Sequence, residues 1–207
     1  WVFVANEGNY GASNGSISMI DSNGKVTTVE EIGDVVQSIE VYNNKLIVLV
    51  NNSHKIKLYD ISENGLSLPG IEVSTDNSSP REMVIADGKL YFSNWGTDDV
   101  KVFNLYNYVI ETSIPVGNNP EGLITDGTYI WVANSGGSTV SKINIVTHNV
   151  ETLYVDEGPQ NLILHNNNIY VARTFYDEAW NPFHGATKIG LEIPEPVQVI
   201  KNYDSGG

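Results

Sequence analysis

The 207-residue chain contains no cysteine. A disulfide framework and a thiolate metal centre are therefore excluded, and cysteine usage leaves the redox compartment open. Basic residues are also scarce: 11 Lys and Arg stand against 25 Asp and Glu, for a formal net charge of −14. Affinity for nucleic acid comes mainly from cations that displace counterions, so DNA, RNA and anionic membrane surfaces are poor partners. No apolar run approaches the roughly 18 residues that would span a bilayer. The chain opens without a basic-then-apolar leader pattern, as a processed secreted chain also would. No window long enough for a helix carries an i, i+3, i+4, i+7 apolar stripe.

What remains is a succession of short β-branched and aromatic runs punctuated by Gly and Asn turns, with an ordinary globular content of 41% apolar residues. The stretch Pro120 to Ile145 shows the unit most clearly, as P-E-G-L-I-T-D-G-T-Y-I-W-V-A-N-S-G-G-S-T-V-S-K-I-N-I. Asp126-Gly127 suits a two-residue hairpin, and Asn134 through Gly137 suits the next reversal. The same pattern opens at Val36, Pro80, Pro120 and Pro159, at spacings of 44, 40 and 39 residues. Position +11 of each copy is then Ile47, Tyr91, Trp131 and Tyr170. From Trp1 to about Glu31 the unit appears once more without its first strand. The copies fall at 1–33, 34–79, 80–119, 120–158 and 159–207. A four-stranded repeat of about 40 residues is the signature of a β-propeller. The expected fold is all-β, with four-stranded antiparallel blades around an axis.

The segments P-E-G-L, Y-I-W-V-A-N and S-T-V-S-K-I-N followed by V-E-T resemble the YVTN family of bacterial and archaeal propellers, and Ile114 to Ile124 resembles the junction between its repeats. The opening F-V-A-N-E-G-N-Y-G with G-S-I-S-M-I-D is similar to the first blade of Bacteroidota surface propellers, some of which capture corrinoids for an outer-membrane transporter. These resemblances imply an extracytoplasmic location, in the periplasm or at the cell surface. They also imply a small-molecule ligand, a transporter or other protein as partner, and a ring of seven blades. Four full copies and one partial copy then read as part of a longer chain, with a sixth copy due where N-Y-D-S-G-G stops.

In a propeller, the starts of the inner strands and the ends of the second strands share one face. That face takes Gln37, Arg81, Glu121 and Gln160 at position +1, together with Asn6, Asn51, Asn94, Asn134 and Arg173. All are polar, and they suit a rim that orients a ligand by hydrogen bonds. Asn at a strand end often bonds its own backbone and tolerates the left-handed conformations of turns, so a structural role comes first for the asparagines and the binding role stands beside it. Two long insertions, Glu7 to Ser16 and Thr174 to Thr187, belong to the same face. The second carries Phe175, Tyr176, Trp180 and Phe183 in what its repeat position makes a loop. Such aromatics, with Trp95, suit recognition of a flat ring, a sugar or a protein, or pack on themselves.

Catalytic signatures are thin. His54, His148, His165 and His184 show no metal-ligand spacing, and the serines have no nucleophile-elbow context. Asp98-Asp99 and Asp177-Glu178 are the pairs able to offer oxygens to calcium, although paired acids in loops are commonly solvated surface. Glu121 with a neighbouring Asn imitates the metal set of lactonase-type propellers. The sequence therefore leads to a non-catalytic propeller that binds a small molecule or glycan at its mouth. A metal-dependent lactonase-like hydrolase and a protein-docking scaffold are the alternatives.

Overall fold

The computed structural model describes residues 1–192 and 195–204. Residues 193–194 and 205–207, which the repeat pattern assigns to the fifth copy, lie outside the described residues. Every regular element described is a strand, and the strands form five antiparallel sheets in which neighbours in sequence are neighbours in space. The first sheet has three strands, β1 (Val2–Asn6), β2 (Gly15–Ile20) and β3 (Val26–Gly33). The second comprises β4 (Val36–Tyr42), β5 (Lys45–Val50) and β6 (Lys55–Ser62), whose outer side pairs with both β7 (Gly65–Leu66) and β8 (Ile71–Ser74). One continuous outer strand is expected there from the sequence. Instead it divides around Pro69 and Gly70, because proline has no N–H for a ladder and Gly70 holds φ at +78°.

The third sheet is β9 (Pro80–Ala86), β10 (Lys89–Asn94), β11 (Asp99–Asn104) and β12 (Val109–Pro115). The fourth is β13 (Pro120–Thr125), β14 (Tyr129–Asn134), β15 (Thr139–Asn144) and β16 (Val150–Tyr154). The fifth is β17 (Pro159–His165), β18 (Asn168–Tyr176), β19 (Pro182–Gly190) and β20 (Pro196–Asp204).

In the three interior sheets the second strand is apolar on both sides because it is buried on both sides. Along β5, Leu46, Val48 and Val50 face Ile17 and Met19 of the first sheet, while Ile47 and Leu49 face Leu90 and Phe92 of the third. Along β14, Ile130 and Val132 join Tyr91 and Val102 behind them, while Trp131 and Ala133 join Ile169 and Val171 ahead. Period-2 alternation thus sends successive residues into different inter-sheet cores. Each such side chain contributes up to about 1.5–3 kcal/mol through burial. The first strands pack side by side, β4 on β9, β9 on β13 and β13 on β17.

The two terminal flanks differ from the interior. Position +11 is buried at Ile47, Tyr91 and Trp131. In the fifth sheet its equivalent, Tyr170, is partly open. It lies in a cross-strand row with Ile163 and Val197, which are 63% and 58% exposed. On the first sheet Val2 and Val26 are likewise exposed. Among the described residues no helix is long and apolar enough to cross a membrane.

Candidate ligand-binding site

The +1 residues sit at the start of the first strands, and the side-by-side packing of those strands brings residues about 40 positions apart into contact. Arg81 on β9 is the hub. Its Nη1 donates to Gln37 Oε1 on β4 at 2.7 Å, and its Nη2 donates to Glu121 Oε1 on β13 at 2.8 Å. Nε donates to both Glu121 oxygens at 3.1 and 3.2 Å. The guanidinium lies 4.0 Å from the Trp95 ring centroid, so one cation is held by a carboxylate, an amide and an aromatic face. Backbone staples keep the strands in register: Ser38 Oγ donates to Arg81 O, Ser93 Oγ to Glu121 O, and Asn51 Nδ2 to Pro80 O.

Glu82 follows Arg81 and is held above its ordinary value of 4.5, first by burial and then by the Glu121 charge, with Arg81 opposing. The sequence reading missed it; its only signal is a second acid beside the +1 position of one copy.

The fourth +1 residue, Gln160, is carried by β17 against β13. A Cβ at Gly122 would come within 2.6 Å of the Gln160 carbonyl, so glycine there permits the approach. Gln160 lines an open cleft of about 800 Å³ between the fourth and fifth sheets. Its walls are the Ser135–Ser138 reversal, Glu157 and Gly158, and the segment from Thr174 through Glu178. From sequence, Asn134 through Gly137 marks only a reversal and Glu157-Gly158 carries no signal, so their place in the wall is a finding of the structure.

The long insertion after Thr174 is not the loop expected from its repeat position. β18 and β19 extend as a paired ladder that places Phe175 opposite Phe183 and Tyr176 opposite Pro182. Only the turn from Asp177 to Asn181 is irregular. Cross-strand aromatic stacking explains the extension: the Phe175 and Phe183 rings lie 5.2 Å apart at 16°. At the tip, Tyr176 and Trp180 are 6.1 Å apart, and they are 55% and 80% exposed. Asp177 fixes the turn by accepting from Ala179 N, Asn181 N and Asn181 Nδ2, which hold its carboxyl below the usual range.

Three residues placed on the rim by the sequence lie behind it. Asn94 is buried, donating to Phe92 O and Asp99 Oδ1 and accepting from Ser78 Oγ. Asn134 is buried too, bonded to Thr139, Ser141 and the Gly117 N–H. Arg173 is buried with Nη1 on Glu157 O. A polar side chain at the end of a buried strand takes the local backbone and side-chain partners first. Asn6 is exposed, but it bonds Ser16 and Ser18 of its own sheet, away from the Arg81 cluster.

Three of the four acids in the two pairs, Asp98, Asp99 and Asp177, accept hydrogen bonds within the protein. Asp99 is buried with Lys101 at 2.7 Å, and Asp98 accepts from Asn119 N. Among the described residues no group of three or more His, Cys, Asp or Glu converges to hold a metal.

Comparison of the fold with solved structures defines the class. The chain is similar to a putative 6-phosphogluconolactonase from Bacteroides fragilis, with a TM-score of 0.75 and 17% identity over 99% of this chain and 68% of that one. It is also similar to hydrazine synthase from Kuenenia stuttgartiensis, with a TM-score of 0.64 and 18% identity over 76% of this chain and 46% of that one. Sqt1 of Saccharomyces cerevisiae gives a TM-score of 0.70 at 8% identity, over 93% of this chain and 56% of that one. These are likenesses of fold, and the fold is of the β-propeller class. The chain spans about half to two thirds of the length of these neighbours. No family model and no curated protein sequence matches it.

Proposed function

We propose that the chain is the ligand-binding part of an extracytoplasmic propeller of the YVTN kind, which holds a small molecule or glycan on its loop face without turning it over. One observation carries the reading. Gln37, Arg81 and Glu121, from three separate sheets, meet on the same face as a cleft lined by Gln160 and the aromatic hairpin. A volume of about 800 Å³ is within the range of small-molecule sites.

A ring of seven sheets is part of the proposal. Five sheets covering 68% of a neighbour's length leave room for about two more, and Tyr170, partly open, holds the repeat position that is buried at Ile47, Tyr91 and Trp131. The test is a thermal-shift and dialysis screen of metabolites, cobalamin and oligosaccharides against the intact protein, repeated with Gln160→Ala and Tyr176→Ala. Hits that these substitutions weaken, recovered chemically unchanged, support the reading. Hits indifferent to both substitutions overturn it.

A second reading, hydrolysis of a lactone, draws on two neighbouring carboxylates, Glu82 and Glu121, of which the first is held above its ordinary value by burial. Gluconolactone turnover above background that Glu82→Gln abolishes would favour it over simple capture.

A further inference from the structure

We infer that the ligand of the cleft is an uncharged carbohydrate chain, stacked on the hairpin aromatics and hydrogen-bonded along the cleft wall. The inference rests on the cleft being a ligand site and adds the chemical class. A pyranose ring offers an apolar C–H face and a rim of hydroxyls, and it needs a flat apolar platform beside donors and acceptors. The hairpin supplies the platform. Phe175 and Tyr176 line the cleft, Trp180 extends the surface beyond Tyr176, and the Asp177 turn with its three hydrogen bonds fixes the tip. Aromatic side chains with two torsions, held on a ladder, lose little entropy on binding. The wall supplies the polar groups: the Ser138 hydroxyl, the Ser135 oxygen, which donates to Asn119 O and keeps its capacity to accept, and the Gln160 amide.

Charge narrows the class further. Glu157, Asp177 and Glu178 line the cleft, no Lys or Arg is among the described residues lining it, and the chain as a whole carries −14. The one guanidinium close by, Arg173, lies buried behind the wall, with Nη1 on the Glu157 carbonyl. A phosphorylated or carboxylated sugar would lose water and face these carboxylates with no cation among the described lining residues to offset them. A protein partner needs about 800 Å² of surface per side with an apolar centre. Two exposed rings framed by Asp177, Glu178 and Asn181 are smaller and wetter than that.

The experiment titrates the intact protein with a panel of neutral hexasaccharides (maltohexaose, cellohexaose, mannohexaose), with 6-phosphogluconate and with hexalysine. It is followed by tryptophan fluorescence and calorimetry at low and high salt. At least one hexasaccharide should bind with an affinity insensitive to salt. That affinity should fall about 10-fold or more in Trp180→Ala and stay within about threefold in Trp180→Phe, which keeps a ring. Position 180 is exposed, so both variants retain the wild-type circular dichroism. Saturable binding of 6-phosphogluconate or hexalysine that depends on Trp180 keeps the cleft as a site and overturns the carbohydrate assignment. Hexasaccharide binding unchanged in Trp180→Ala overturns the stacking platform. If no hexasaccharide binds while the metabolite screen gives hits that depend on Gln160, the class is wrong and the site stands.

Discussion

Replacing Arg81 by methionine isolates the contact on which the rim depends. Methionine keeps much of the aliphatic stem over Trp95 and deletes the donors to Gln37 and Glu121. The Arg81 and Glu121 side chains are 20% and 14% exposed, between the surface pair worth about 0–1 kcal/mol and the buried pair whose breakage costs about 3–5 kcal/mol. Glu121 would be stranded beside the half-buried Glu82, so the loss should be about 2–3 kcal/mol. In a chain of this size that corresponds to roughly 4–12 °C in Tm. Removing the stranded charge as well, in Arg81→Met/Glu121→Gln, should restore about 1–2 kcal/mol, a non-additivity expected of partners in contact. Urea and thermal unfolding of the wild type, both single variants and the double variant measure it. An Arg81→Met protein within about 0.5 kcal/mol of wild type, or strictly additive losses, would refute the claim that this cation holds three sheets together.

Trp131→Ala should cost about 3–5 kcal/mol, because a ring 1% exposed is lost from the core between the fourth and fifth sheets and Asp126 loses the indole donor. In the 207-residue chain Tyr170→Ala, at the same repeat position on the open flank, should cost under about 1 kcal/mol by chemical denaturation, and about as much as Trp131→Ala where a further sheet covers it. Glu82→Gln should raise Tm at pH 7. A carboxyl raised on folding lets the native state keep its proton longer, so wild-type stability falls as pH rises from 4.5 through the raised value. The advantage of the glutamine should vanish on acidification below 4.5, as read by Tm against pH. Asn134→Ala should lose about 1–3 kcal/mol by leaving buried hydroxyls and the Gly117 N–H unpaired, while ligand affinity of the folded protein stays unchanged in calorimetry.

Much of the fold was legible because its determinants are local and repeated. Asp126-Gly127 and Asn43-Asn44 mark hairpins by their own backbone preferences, and the doubly apolar run K-L-I-V-L-V announces a strand covered on both sides. The convergence of Gln37, Arg81 and Glu121 followed from topology alone, since equal repeats place equal positions at equal heights. What could not be read was which polar side chain faces water. Asn94, Asn134 and Arg173 look like rim residues by position, yet each is spent on partners such as Asp99, Thr139 and the Glu157 carbonyl, which depend on packing at ångström scale. The paired aromatic hairpin escaped for the opposite reason. Its ladder exceeds the repeat length, so comparison with the other copies assigns its residues to a loop.

The positions within the repeat divide the work, and the division bears on function. Position +11 holds Ile, Tyr, Trp and Tyr, which differ in size but are all apolar or aromatic, as a site buried between sheets requires. Position +1 holds Gln, Arg, Glu and Gln, which differ in charge and hydrogen-bonding capacity while occupying equivalent backbone. A purely structural role would be met by any one of these repeated four times, but four arginines or four glutamates at contact distance would repel one another by several kcal/mol. The mixture observed is self-neutralising at its centre, where Arg81 is matched by Glu121 and Gln37, and leaves Gln160 uncharged at the margin. The cation is therefore consumed in building the rim. The adjoining cleft presents amide, hydroxyl, carboxylate and aromatic ring, a set that on the proposed reading suits hydroxyls and flat apolar faces, with no cation among its described lining for a phosphate.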